Sequence, residues 1–267
     1  MKAVRITADV NGTYHSSPLA VPTVQRKGEV SPDGYRSGSI PRANFNPNPA
    51  DSLRAIVLSD GKFKGLARRA DTVLTFVISG DLTLSVDSSQ LSHLEPGDIL
   101  LTDGRSSSVP IEARNQCRLL QIGVPADWPG AGAEVQQPGT LIPRPPGRAP
   151  KLKRIYKGKD DKAYFTEFSE LFPKVSDEWG APHAISGFRL LCWENGSMDS
   201  HPCVTNQLAI ALAGEMEMEV GGGGGAVEVF HAGDICLAED RTGEGHIGRF
   251  RGVVHVVIMV VETENLW

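Results

Sequence analysis

Apolar and polar residues alternate over short distances along most of the chain, a period that predicts strands rather than helices. In the first half the runs are "RAIVLSD", "TVLTFVIS", "DLTLSV", "DILLTD" and "RLLQIGV". In the second they are "FRLLCWE", "QLAIALA", "EMEMEV", "AVEVF", "DICLAE" and "GVVHVVIMVVE". Gly and Asp stand between them, as tight turns require. Residues 1–50 are rich in Pro, Ser, Asn and Gly with little periodicity, which predicts an extended N-terminal arm. Residues 124–155 begin "VPADWPGAGAEVQQPGTLIPRPPGRAPK", too proline-dense for a strand or helix, and read as a linker. Two β units remain, 51–123 and 156–267. Within the second, "FTEFSELF" has apolar residues at helical spacing and predicts a turn or two of helix.

The two units repeat each other. "FVISGDLTLSV" corresponds to "IALAGEMEMEV", which sets Gly80 against Gly214, 134 residues apart. "LEPGDILLTDG" corresponds to "FHAGDICLAED", which sets Gly97 against Gly233, 136 apart. A nearly constant offset, with two extra residues absorbed at the "GGGGG" tip, argues for duplication of one all-β unit. Those glycines lie between two strands and make a turn. A phosphate-binding loop would need a strand-to-helix context.

Bulk composition narrows the class only a little. The chain has 267 residues, 40% hydrophobic and 22% charged, ordinary for a globular protein. A net charge of −5 gives no pointer to nucleic acid or a membrane surface. The basic stretch "PRPPGRAPKLKRIYKGK" has one aromatic, Tyr156, and reads as a solvated face. The first residues carry no apolar run of signal-peptide length. Four cysteines without CxxC spacing suggest reduced thiols and a cytoplasmic location.

The repeated unit resembles a cupin, so the chain resembles a bicupin: two antiparallel cupin (double-stranded β-helix, or jelly-roll) barrels. The family's first motif is Gly-x5-His-x-His-x3–4-Glu-x6-Gly; Gly196, His201, Cys203, Gln207 and Gly214 fall on it, with one residue fewer before His201. The second motif is Gly-x5-Pro-x-Gly-x2-His-x3-Asn; Gly233 opens it, Glu239 takes the proline slot, and Gly243 and His246 follow after two inserted residues. In the first half, Ala67 and Arg69 occupy the histidine slots, Val73 the glutamate slot and Ser108 the last histidine slot. That barrel has no family-type ligand left, and the resemblance implies a packing role. Arg68 and Arg69 could still hold an anion there.

In the C-terminal barrel Gln207, Ala209 and Ala211 share one strand face, and the alanines leave room for a small molecule. The resemblance implies that His201 and His246 approach each other from neighbouring strands. Family cupins hold a divalent metal with three histidines and a glutamate. Here the candidate set is His201, His246, Gln207 and Cys203, suited to weakly held Fe, Ni, Cu or Zn or to no metal at all. Without metal, the imidazoles form an acid–base pair. Glu239 and Asp240 could orient an imidazole, and Arg189 could anchor a substrate carboxylate. His15, His93 and His183 have no supporting spacing, and His255 reads as a core histidine. Three functions follow: a non-oxidative enzyme (isomerase, lyase/dehydratase or cyclase) with His201, Gln207 and His246 catalytic; a metal-dependent dioxygenase or decarboxylase; or a non-catalytic ligand-binding bicupin. The expected partner is a small-molecule substrate, without nucleic acid or membrane, and the expected state is monomer or homodimer.

Overall fold

The computed structural model describes residues 1–27, 48–66, 72–86, 91–130, 139–142, 148–221 and 225–261. Its regular structure is sixteen strands and one 3-10 turn at Ser106–Ser108, so the chain is all-β as the alternation predicts. In order, the first nine are β1 (Ala3–Ala8), β2 (Tyr14–Pro18), β3 (Thr23–Lys27), β4 (Ser52–Leu58), β5 (Gly61–Phe63), β6 (Thr72–Ser85), β7 (Leu91–Leu94), β8 (Ile99–Thr102) and β9 (Ile111–Val124). The remainder are β10 (Leu152–Lys157), β11 (Ala163–Glu167), β12 (His183–His201), β13 (Gln207–Val220), β14 (Val227–Phe230), β15 (Ile235–Ala238) and β16 (His246–Val261). No helix among the described residues is long and apolar enough to cross a membrane.

The chain forms two compact units. Unit 1 comprises Met1–Pro22, Pro49–Gln136 and Glu170–Ile185; unit 2 comprises Thr23–Asn48, Gln137–Ser169 and Ser186–Trp267. In unit 1, β6 pairs with β9 along both its halves, with β8 on its first half and with β7 on its second. In unit 2, β13 does the same with β16, β15 and β14. A strand whose two halves have different neighbours serves two sheets and must bend between them. The bends fall at the repeated glycines: Gly80 and Gly214 both have φ of 73°, and the ladder register shifts beside each. A Cβ on Gly80 would lie 2.5 Å from the Arg114 carbonyl oxygen, and one on Gly214 2.9 Å from that of Val253. Glycine alone fits this left-handed, crowded corner.

A buried aspartate pins the same junction in each unit. Asp98 accepts from the backbone N–H groups of Lys2 and Glu95; Asp234 accepts from those of Lys151 and His231. These clamps hold β1 parallel to β8 and β10 parallel to β15. Residues 3–18, expected as an irregular arm, are therefore the hairpin β1–β2, the counterpart of β10–β11. β2 reads as "YHSSP", whose polarity hides a strand, and pairing makes it one. "FTEFSELF" forms no helix: Ala163 and Phe165 in β11 both pack on the unit 2 core with Ile155, at a strand period.

Each unit also uses a segment from elsewhere in the chain. β3 lies parallel to β12 in unit 2, and Asn48 bridges Phe188. In unit 1, Trp179 bridges Ile56, and His183 pairs with Leu53.

Candidate functional site

Two backbone contacts build the site in unit 2. The Cys203 N–H donates to the Asp240 carbonyl oxygen at 3.1 Å, which ties the end of β12 to the turn after β15. Gly245, with φ of 72°, packs so closely that a Cβ there would sit 2.1 Å from the His201 carbonyl carbon. These contacts set the first residue of β16 beside the last of β12. The rings of His201 and His246 lie 4.9 Å apart, centroid to centroid, inclined by 51°.

Each imidazole is oriented by an oxygen on Nδ1. The His246 Nδ1–H donates to Asp240 Oδ2 at 2.7 Å, with both side chains buried. His201 Nδ1 faces the Asp199 carbonyl oxygen at 2.7 Å, and since a carbonyl only accepts, Nδ1 carries the proton there too. Nε2 is then the basic nitrogen on both rings. Burial, followed by the neighbouring His246, lowers the pKa of His201 below the ordinary imidazole value.

Asp240 is fully buried, and its Oδ1 has no hydrogen-bond partner. One donor atom each from Cys203, Asp240 and His246 falls within 4.8 Å of the others. Burial, and next the Asp240 carboxylate, push the Cys203 thiol well above its usual pKa, so it is protonated when no cation is near. All four cysteines are buried and form no disulfide.

The expected residues divide around this centre. His201, Cys203, Asp240 and His246 are brought together. Gln207 shares its strand face with Ala209 and Ala211, as alternation predicts, and its amide N–H donates to Thr205 Oγ1 at 3.4 Å. Asp240 brings a carboxylate to the donor cluster. Glu239 orients no imidazole; it pairs with Arg154. Arg189 is buried in β12. Ala211 is buried in the unit 2 core and Ala209 is partly buried against it; Trp193 and Phe250, stacked at 4.4 Å, and Met216 and Met218 belong to the same core.

Open space lies at the rim. A depression of about 370 Å3 is lined by Pro202, Cys203, Val204, Arg241 and Thr242. Cys203 belongs to both the depression and the buried cluster. Arg241 was not singled out by any motif; its one signal is that it directly follows Asp240.

The remaining histidines lie elsewhere. His15 and His93 are exposed beside acids, His183 starts β12, and His255 is fully buried in β16. Ala67, Arg68 and Arg69 lie outside the described residues. Val73 is buried and pairs with Thr102. By register, Val109 stands in unit 1 where His246 stands in unit 2, one residue beyond the expected Ser108. Leu84 pairs with Ile111 four residues past Gly80, as Met218 pairs with Gly248 four past Gly214.

No family model matches the chain, and no curated protein does. Among solved structures, a protein of unknown function from Pseudomonas syringae pv. tomato, assigned to the DUF861 family, is 13% identical with a TM-score of 0.36. That alignment covers 97% of this chain and 100% of the other. An oxalate decarboxylase variant from Bacillus subtilis is 18% identical with a TM-score of 0.28, over 79% of this chain and 69% of the other. Likenesses this weak leave the fold resting on the strand pairing described above.

Proposed function

We propose that the protein is a bicupin enzyme acting on a small organic molecule, with unit 2 as its working barrel and proton transfer by the histidine pair as its chemistry. The observation that carries this reading is the buried hydrogen bond from His246 Nδ1 to Asp240 Oδ2, with a second, neutral imidazole beside it. A carboxylate on Nδ1 fixes the tautomer, raises the basicity of Nε2 and stabilises the imidazolium that forms when Nε2 takes a proton. His201, held neutral by burial, can receive or return that proton at its own Nε2. Such a pair suits isomerisation, dehydration or cyclisation of a carbonyl compound, where a C–H proton leaves one atom and is delivered to another. The test is depletion of a defined mixture of small carbonyl metabolites, followed by mass spectrometry. Wild type should convert at least one component without added oxidant, and His246→Gln should convert none. Equal conversion by the variant would overturn the reading.

A second reading is favoured by the unpartnered Asp240 Oδ1 and the three donors within 4.8 Å. Imidazole, carboxylate and thiol together suit Zn or Fe, and a bound cation would draw off the Cys203 proton that burial retains. A metal held there would polarise a substrate carbonyl. Cys203, Asp240 and His246 would hold it, while His201 would remain a base. Stoichiometric metal in purified protein, lost in Cys203→Ser, would favour this reading.

A further inference from the structure

The rim depression bears on what kind of molecule the site takes. Pro202, Cys203 and Val204 give it apolar walls, and Val204 is 60% exposed although nothing polar recommends it to water. Thr242 adds a hydroxyl. Arg241 adds the only cation of the lining. Glu239, two residues before it, is engaged by Arg154, and Asp240 by His246. Among the described residues no carboxylate pairs with the Arg241 guanidinium. A solvated arginine is ordinary on a surface; this one walls a depression that shares Cys203 with the buried Cys203–Asp240–His246 cluster, and is placed to meet a ligand.

We propose that Arg241 anchors the carboxylate of a small organic acid, whose short apolar chain lies on Pro202 and Val204 with its far end toward Cys203. This rests on the acid–base reading of the same site and names its substrate class. A planar guanidinium matches a carboxylate through two parallel N–H···O bonds. The volume, about 370 Å3, lies at the small end of the range for ligand pockets. Arg241 is thus a specificity-determining residue, and the expectation that Arg189 binds the carboxylate passes to it.

The test is an amide-shift titration of the full chain by NMR at pH 7.5 and low salt, with butyrate and its neutral isostere butyramide as probes. Butyrate should move the Cys203, Val204, Arg241 and Thr242 signals in a saturable way, with butyramide weaker by about tenfold. Arg241→Gln should bind both probes equally weakly with an unchanged melting temperature, and Arg241→Lys should recover part of the difference. Equal binding of butyrate by wild type and Arg241→Gln, equal binding of the two probes by wild type, or no saturable shift would each overturn the proposal. Failure of the acid–base reading shows elsewhere, as conversion of the metabolite mixture by His246→Gln.

Discussion

Units 1 and 2 are built on one frame and diverge where chemistry would occur. Both bend a long strand, β6 or β13, at a left-handed glycine, and both use a buried aspartate to clamp a parallel strand to the sheet. In unit 1 the described interior is packed with Val77, Leu82, Leu94, Leu100 and Val109, with the buried thiol of Cys117 among them and no histidine or carboxylate. At the corresponding rim of unit 2 stand His246, Asp240 and Cys203. The turn preceding β9 is satisfied locally, since Asp103 accepts from the Ser106 hydroxyl. The turn preceding β16 instead buries a carboxylate oxygen with no partner. Burying such an oxygen costs about 1–3 kcal/mol.

The largest effect should come from dividing the chain at the proline-rich segment. A fragment of residues 137–267 lacks β3, which pairs with β12, and should show no cooperative melting by circular dichroism. A cooperative transition in that fragment would show that unit 2 is self-sufficient. Next, His246→Gln should lower turnover by about 10²–10⁴-fold. Val109→Ala, its counterpart in unit 1, should cost only about 1–2 kcal/mol of stability and leave turnover alone. Gly80→Ala and Gly214→Ala should each destabilise by about 3 kcal/mol in urea unfolding, because the corner is the same in both units. A large difference between them would separate the two frames.

The smallest effect concerns pH. His201 has a folded-state pKa below its unfolded value, so below about pH 6.5 the unfolded chain binds more protons than the folded one. Stability should therefore fall as pH drops from about 6.5 toward the lower folded value. His201→Gln should remove that part of the acid sensitivity, seen as a smaller loss of melting temperature between pH 7.5 and 5.5. An unchanged loss would mean that His201 is not held neutral.

Much of the fold was legible because strand alternation and the glycine offsets are local patterns. β1–β2 was hidden because β2 is polar and owes its conformation to its partner. The exchange of β3 and residues 170–185 between units left no local mark at all. At the site, spacing found His201, Cys203 and His246, since each lies on a motif. Gln207 also lies on a motif slot, but its hydrogen bond to Thr205 depends on the loop between and left no mark in the spacing. Asp240 and Glu239 are adjacent in sequence and were indistinguishable there; in the structure one reaches His246 and the other Arg154. Alternation put Ala209 and Ala211 on one face, but the stacked Trp193 and Phe250 in the same core come from other strands and had no local signal.

The most direct test of the claim that unit 2 holds the reactive centre is long-range proton–nitrogen NMR of the His246 ring in wild type and Asp240→Ala. A bonded, slowly exchanging Nδ1 proton and an unprotonated Nε2 in wild type, both altered in the variant, are predicted. An His246 ring that shows no Nδ1 proton, or is indifferent to the loss of Asp240, would contradict it.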